Sequence, residues 1–463
     1  MNDIRISGRR PGHKVSRRAI WGWYLFDWAS QPYFTLILTF IFAQYFANSF
    51  APTKADGQAW WGYAGAVAGF TIAILSPILG SMADASGPRK PWIFVFSLML
   101  VGGCSVLWFA APGRTDLTVW ILAGFVIATI GTEFATVFTN AMMPDLVDEE
   151  ELGRLSGNGW AMGYVGGLLS LAFVLLFMVV MGDGQKTMLG LDPIFGLDPA
   201  TKEGDRAAGP LSAIWYAIFV IPLFLFTPDT KRKMSLGKGI GRGLDDLVAT
   251  LRKLAKNGNA LLYLIASMVY RDALAALFAF GGIYAGGMLG WKTFEIGIFG
   301  IVLLITGIFG SWLGGVLDVR YGAKRVVVWS LVLLLACGIG IISTTSDTIF
   351  FVVEVTPKAA GGGLFSSLPE QVFLALGALI GAAAGPVQAS SRTLLVRIAP
   401  TEQVTQYFGL YALTGKVTSF IGPLTVGIAT DWSDSQRIGL IPMLVLFGLG
   451  LVLLFGVKPR RAE

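Results

Sequence analysis

Between two long apolar segments the chain reads GSMADASGPRK at Gly80–Lys90, and between two later segments it reads GGVLDVRYGAKR at Gly314–Arg325. Both runs place a glycine, an aspartate, a second glycine and basic residues in the same order, with one extra residue in the second run. Such a recurrence indicates an internal repeat. We predict that both runs serve a conformational switch, through Gly80, Asp84, Gly87, Arg89, Lys90, Gly314, Asp318, Gly322, Lys324 and Arg325.

Apolar segments long enough to cross ~30 Å of hydrocarbon recur along almost the whole chain. Hydrophobic residues make up 54% of the sequence and charged residues 14%, against about 25% charged in soluble domains. The first segment is too long for a cleavable signal peptide. We predict twelve spans at 20–48, 60–83, 92–111, 117–141, 157–182, 211–228, 260–289, 293–317, 326–346, 370–392, 405–430 and 438–457. The run Thr348–Val355 either extends the ninth span or forms a short outer element.

Most of the 35 Lys and Arg residues fall on one side of these spans, which predicts that both termini are cytoplasmic. This bias explains the net charge of +6 without a nucleic-acid partner. The long basic segment in the middle of the chain also carries an amphipathic helical pattern, typical of a helix on the inner leaflet. The predicted domains are a cytoplasmic basic tail at 1–19, a six-helix bundle at 20–228, a linker at 229–259, a second bundle at 260–457 and a tail at 458–463.

Six charged side chains lie inside or at the inner ends of the spans: Asp27, Glu133, Arg271, Asp272, Arg392 and Lys416. A charge in hydrocarbon is costly and usually marks a polar path or binding site. The two aspartates are candidates for carrying a proton or for binding a substrate ammonium group. Arg271 and Lys416 could bind a substrate carboxylate. For each of these groups the alternative is an internal ion pair, for example Asp272 with Lys416.

Three further features concern the surroundings of these charges. Trp23, Tyr24 and Trp28 either shape a pocket around Asp27 or pack between helices. Glu133 either pairs with Arg392 as an inner gate or bonds to neighbouring threonines, Thr132 and Thr136. Asp84 could cap the N-terminus of helix 11, where the helix dipole is positive; the alternative is a surface turn.

Enzymatic chemistry has no support in the sequence. Cys104 and Cys337 lie inside predicted spans, and the single histidine, His13, lies in the basic tail, so neither a disulfide nor a metal site is predicted. The chain has no Gly-x-Ser-x-Gly elbow and no phosphate-binding Gly-x-x-x-x-Gly-Lys-Ser/Thr loop. We therefore expect no enzyme activity, no cofactor and no ATP-driven mechanism.

The chain resembles the major facilitator superfamily through its two loop runs, although Ala85 stands where an arginine is usual. It is similar to the vacuole-effluxer branch, which holds autophagy-related vacuolar amino-acid exporters, over about Ser16 to Val457. The segments that carry this likeness are WYLFDWA at Trp23–Ala29, NAMMPDL at Asn140–Leu146, RLSGNGWAMGY at Arg154–Tyr164, QASSR at Gln388–Arg392 and YFGLYALTGK at Tyr407–Lys416. The resemblance implies an all-α membrane protein with the major facilitator fold, twelve transmembrane helices in two pseudo-symmetric six-helix bundles.

The resemblance also implies alternating access, and the compact loops are similar to those of bacterial members. We expect a monomeric secondary transporter of small polar solutes, with amino acids as the first candidates, proton-linked efflux and a location in the bacterial inner membrane. Its expected partners are a small-molecule substrate, a proton or another cation, and the lipid bilayer. The alternatives are a cation-coupled sugar or glycoside symporter and a non-transporting receptor on the same fold.

Overall fold

The computed structural model describes residues 15–52, 54–180, 186–231, 258–291, 293–358, 363–418, 421–433 and 435–458, with isolated positions 249, 252 and 254. The predicted N-terminal tail up to residue 14, most of the predicted linker helix within 229–259 and the end of the C-terminal tail lie outside the described residues. The side chain of Lys416 also lies outside them, so its predicted contacts stay predictions.

Long helices carry the predicted spans, and we number them α1–α12. Their bounds are Arg17–Pro32, Lys54–Ser86, Lys90–Val106, Thr118–Ala141, Leu152–Phe177, Ala208–Phe219, Gly258–Leu289, Thr293–Tyr321, Ala323–Ile342, Leu368–Ile398, Val404–Val417 and Ile441–Gly456. Additional helices extend or connect them, at Tyr33–Phe40, Phe42–Tyr45, Phe46–Phe50, Leu107–Phe109, Thr115–Leu117, Met143–Leu146, Glu149–Glu151, Ile194–Gly196, Glu203–Arg206, Ile221–Phe226, Thr401–Gln403, Ile421–Ser433 and Gln436–Gly439.

Eleven of the numbered helices belong to helical stretches that are long and apolar enough to cross a membrane. The remaining predicted span, 405–430, corresponds to α11 followed by the helix Ile421–Ser433, and residues 419–420 between them lie outside the described part. The helical membrane fold is therefore confirmed.

One compact unit consists of Met1–Asp148, Met162–Leu247 and Thr401–Leu413. Within it α3 packs against α4 and α6, α2 against α4, and α1 against α6. Small residues allow this close packing in an apolar environment. A methyl group at Gly131 of α4, for example, would lie 2.6 Å from the carbonyl oxygen of Phe96 in α3.

The second unit consists of Glu149–Ala161, Val248–Pro400 and Thr414–Glu463. Here α8 and α9 pack against α10, and α7 packs against α12. The first turns of α5 therefore belong to this unit, whereas the first turns of α11 belong to the other one. The predicted bundle boundaries at 20–228 and 260–457 stay a prediction.

The segment after α9 forms a hairpin and does not extend the helix. The strands β1 (Thr348–Ile349) and β2 (Val353–Glu354) pair antiparallel. Thr345 shapes the start of the hairpin, because its main-chain N–H donates to Thr348 O at 2.8 Å and its hydroxyl lies 2.6 Å from Asp347 Oδ1. Of the two predictions for this run, the short separate element is the one that the structure has.

Candidate functional site

Asp27 lies half-buried on α1 and faces a glycine of α5. A methyl group at Gly163 would lie 3.4 Å from the main-chain oxygen of Asp27 and 3.6 Å from its Cβ. One turn further along α5, a methyl group at Gly167 would lie 2.6 Å from the hydroxyl of Thr35. Glycines at this spacing let the helix that carries Asp27 approach α5 closely.

The three aromatic residues near Asp27 have different surroundings. Trp23 is buried and its indole N–H donates to the carbonyl of Thr139 in α4 at 2.8 Å. Trp28 stacks on Trp215 of α6 with ring centroids 5.5 Å apart. Tyr24 makes an edge contact with Trp23 and is half-buried. Trp23 and Trp28 thus have packing roles between helices, and the pocket role predicted for all three stays a prediction.

Glu133 is half-buried on α4, among threonines whose hydroxyl protons are already used. Thr132 donates to Ala128 O and Thr136 donates to Thr132 O, both at 2.8 Å. Both hydroxyls thus bond to the main chain of α4, and the two predictions for Glu133, bonding to these threonines or pairing with Arg392, stay predictions.

Arg271 and Asp272 follow each other on α7, in the second unit. The Arg271 guanidinium group lies directly on α11, because a methyl group at Gly415 would lie 2.6 Å from its Nη2 and 2.8 Å from its Nη1. Asp272 is buried on the same helix. A methyl group at Gly422 would lie 2.6 Å from its main-chain oxygen. Glycines thus make room for the charged part of α7.

Arg392 is buried on α10 and binds the first turns of α5 within the same unit. Its Nε donates to Ser156 Oγ at 3.0 Å and its Nη2 donates to Ser156 O at 2.8 Å. Ser156 Oγ donates in turn to Ala389 O at 2.6 Å. The guanidinium carbon also lies 5.4 Å from the ring centroid of Trp160. Arg392 therefore fastens α5 to α10.

The contact predicted for Asp84 is present in the first unit. Its Oδ1 accepts from Thr405 N at 3.3 Å and its Oδ2 accepts from Gln406 N at 2.8 Å, at the start of α11. These N–H groups have no partner inside the helix, so a carboxylate stabilises them. A methyl group at Gly80 would lie 2.7 Å from Thr405 O, and this glycine allows α2 to reach the helix end.

Arg89 completes this helix-end contact. Its guanidinium group lies 3.7 Å from Asp84 Oδ1 and 2.6 Å from Asp145 Oδ2, and its Nε donates to Thr405 Oγ1 at 3.1 Å. Arg89 thus supplies a positive charge beside Asp84, in a loop run whose Ala85 stands where an arginine is usual. We had predicted no role for Asp145, although it lies in the NAMMPDL segment that carries the family resemblance.

Asp229 caps the next helix in the same region. Its two carboxylate oxygens accept from the main-chain N–H groups of Arg89 and Lys90 at 2.9 Å each, at the start of α3. Lys90 Nζ donates to Phe224 O at 2.9 Å. Gly87, between the two helices, has φ of 105°, a conformation that favours glycine.

The second loop run is built differently. Asp318 is buried against Gly153 in the first turn of α5, where a methyl group would overlap its carboxyl group. Asp318 forms an ion pair with Arg397 of α10, whose Nη1 lies 3.0 Å from Asp318 Oδ1. Arg397 occupies the place in the second half that Asp145 occupies in the first. Sequence reasoning missed Arg397, which the loop motif does not contain.

The basic residues of the second loop run lie elsewhere. Lys324 Nζ donates to Phe455 O at 2.9 Å and to Val457 O at 2.7 Å, at the end of α12. A cation is favourable at a helix C-terminus, so Lys324 caps α12. Arg325 is exposed, and Gly322 has φ of 87°.

In the described part of the chain, no group of three or more His, Cys, Asp or Glu residues could hold a metal ion.

Solved structures share this arrangement of helices. FucP, a transporter of the major facilitator superfamily in its outward conformation, matches with a TM-score of 0.69 at 15% identity, over 96% of this chain and 99% of its own. The human organic anion transporter MFSD10 (TETRAN) matches with a TM-score of 0.67 at 16% identity, over 95% of this chain and 99% of its own. The fold is that of the major facilitator superfamily.

The chain belongs to the vacuole effluxer Atg22-like family, whose model matches residues 48–463. It is 23% identical over 437 residues to the uncharacterized MFS-type transporter YxiO of Bacillus subtilis, over 93% of each chain. It is also 24% identical over 326 residues to autophagy-related protein 22 of Cryptococcus neoformans, and it spans 51% of the length of that relative. The chain is an integral membrane transporter of the MFS type.

Proposed function

We propose that this protein is a secondary transporter of small polar organic solutes, with amino acids as the first candidates and with proton-linked efflux. The observation that carries the proposal is the placement of Arg271 and Asp272 on the membrane-spanning helix α7, with glycines of α11 and of the following helix beside them. A charged side chain inside a membrane span is energetically costly, so the few that occur there usually have a function. The efflux direction is supported by the family to which the chain belongs.

The chemistry of these side chains suits a zwitterion. A guanidinium group binds a carboxylate through two parallel hydrogen bonds, and Arg271 supplies such a group. Asp27 and Asp272 offer carboxylates for an ammonium group or for a proton. Either aspartate is a candidate carrier of the proton that couples efflux to a gradient.

Alternating access requires the helix-end contacts to open and close. The start of α11 is bound by Asp84 and Arg89. The start of α5 is bound by Arg392, and beside it Arg397 pairs with Asp318. Each contact consists of a few charge-assisted bonds that can break and re-form. In this proposal they stabilise the state in which the cytoplasmic path is closed.

Uptake of labelled amino acids into inverted membrane vesicles tests the substrate. We expect accumulation that depends on an imposed pH gradient and that falls in the Arg271→Ala and Asp272→Asn variants. The Arg114→Ala variant is the matched control, because Arg114 is exposed between α3 and α4 and lies outside the proposed site and both loop runs. Failure of every amino acid to accumulate, with well-inserted protein, would remove the substrate claim.

A cation-coupled sugar symporter is the second candidate. An acidic residue in α1 suits such carriers, and a fold match is the E. coli fucose:proton symporter FucP, with a TM-score of 0.62. A thermal-shift screen across amino acids, sugars and peptides separates the two, since only the true substrate class should raise Tm. A receptor on this fold would bind a ligand in the screen and show no flux.

The topology and location are part of the proposal. We infer a location in the bacterial cytoplasmic (inner) membrane with both termini in the cytoplasm, from the Lys and Arg bias and the match over 93% of each chain to the bacterial relative, and we propose a monomer. Reporter fusions at residue 463 and within 186–202 test the orientation. The C-terminal fusion should report the cytoplasm and the other fusion the opposite side.

A further inference from the structure

The tip of the hairpin after α9 is apolar and exposed. The side chains of Phe350, Phe351, Val352 and Val353 are 51%, 55%, 80% and 48% exposed. They form a continuous run from the turn into the first residue of β2, and we name Phe350–Val353 the hairpin tip. Contiguous exposed apolar side chains of this kind indicate a partner surface.

The backbone of the tip has a conformation that is unusual for the residues that occupy it. Phe350 has φ of 51° and Phe351 has φ of 65°. This left-handed region favours glycine or asparagine, and it is unfavourable for bulky residues. Two phenylalanines here contradict the local preference of the turn, and such conflicts concentrate at functional positions.

The tip is fixed at the level where α9 ends. The main-chain N–H of Phe351 donates to Ser343 O at 3.0 Å, one residue beyond α9. Arg437 Nε donates to Ile342 O at 2.7 Å, and its guanidinium carbon lies 4.6 Å from the ring centroid of Phe351. Nearby on the membrane-spanning helices, Ile339 of α9 and Ile441 of α12 are exposed. The tip thus continues the apolar surface of these helices.

We propose that the hairpin tip inserts into the boundary between headgroups and acyl chains of the adjoining leaflet. Its rings and valines suit this boundary, where aromatic side chains are enriched. A protein partner fits less well, because a stable interface takes about 800 Å² from each side and the tip has four residues. Membrane anchoring by a few apolar side chains needs no such area.

Lipid quenching of a fluorophore tests this insertion in the full-length protein. The Val352→Cys variant places the label at the tip, and Ser346→Cys places it at the exposed base of the same hairpin as the matched control. Cys104 and Cys337 are buried, and unmodified protein reports any labelling of them. The labelled proteins are reconstituted into phosphatidylcholine–phosphatidylglycerol vesicles with an NBD maleimide label and doxyl-labelled lipids.

We expect a blue-shifted emission at position 352 that 5-doxyl lipid quenches more strongly than 12-doxyl lipid, with little quenching at position 346. Equal weak quenching at both positions would place the tip in water and overturn the proposal. A blue shift at 352 without quenching by either lipid would assign the tip to a second copy or another protein, and would overturn it equally. Monodisperse elution of both variants before reconstitution excludes misfolding.

Discussion

At the scale of single residues, the structure explains why glycine stands beside Arg271. The guanidinium group of Arg271 occupies the space in which a side chain at position 415 would lie. A larger residue there would move the cation, and with it the proposed carboxylate site. The identity of residue 415 is therefore linked to the position of Arg271.

The Gly415→Ala substitution tests this link. The added methyl group would lie 2.6 Å from Arg271 Nη2, so the guanidinium group has to shift. Loss of one charge-assisted hydrogen bond to the substrate costs about 1.5–3 kcal/mol, which corresponds to about 10- to 100-fold weaker binding. Substrate affinity measured by thermal shift or flux reports the change. Gly427→Ala is the control, because its methyl group would meet nothing within 4 Å; equal affinities in both variants would contradict the account.

The pair Asp318 and Arg397 gives a second prediction at this scale. Removing only the cation leaves a buried carboxylate without compensation, at a cost of about 3–5 kcal/mol. Arg397→Gln should therefore lower Tm in detergent more than the double variant Asp318→Asn/Arg397→Gln. A double variant that is as unstable as the sum of both single variants would show that the two side chains do not interact.

At the scale of helices, glycines decide where α2 meets the start of α11. Gly80 lies against the main chain of Thr405, whereas a methyl group at Gly69, on the same helix, would meet nothing within 4 Å. Gly80 therefore marks a contact between two helices, whereas Gly69 marks an open position on the same helix.

We expect Gly80→Ala to impair transport and Gly69→Ala to leave it unchanged. The methyl group at position 80 would lie 2.7 Å from Thr405 O, and forcing it into this packed contact costs about 1–3 kcal/mol. The expected result is a lower flux and a lower Tm for the first variant alone. Parallel flux and Tm measurements on both variants check this, and an unaffected Gly80→Ala protein would mean that the two helices tolerate separation.

How far the sequence predicts the molecule differs between elements and contacts. Apolar length predicts the helices well because crossing hydrocarbon requires it, and the loop motif predicts that Asp84 reaches the start of α11. It does not predict that Arg397 and not Lys324 faces Asp318, because that pairing depends on which helix ends meet in space. The stacking of Trp28 on Trp215 and the left-handed phenylalanines of the hairpin also depend on tertiary contacts.

At the scale of the whole molecule, the two loop runs and the buried charges both contribute to the proposed transport cycle. The two loop runs hold the first turns of α11 and α5 with similar parts and with acid and base exchanged between Asp145 and Arg397. The similarity agrees with the predicted internal repeat. The charges on α1 and α7 supply the proposed chemistry for a polar solute.

Flux through purified protein in liposomes tests this claim most directly. A labelled amino acid, an imposed pH gradient and the wild-type, Arg271→Ala and Gly427→Ala proteins are compared at equal reconstitution. The account predicts gradient-dependent accumulation by the wild-type and Gly427→Ala proteins and its loss in Arg271→Ala. Unchanged accumulation by the Arg271→Ala protein, or none by the wild-type protein with any amino acid, would contradict it.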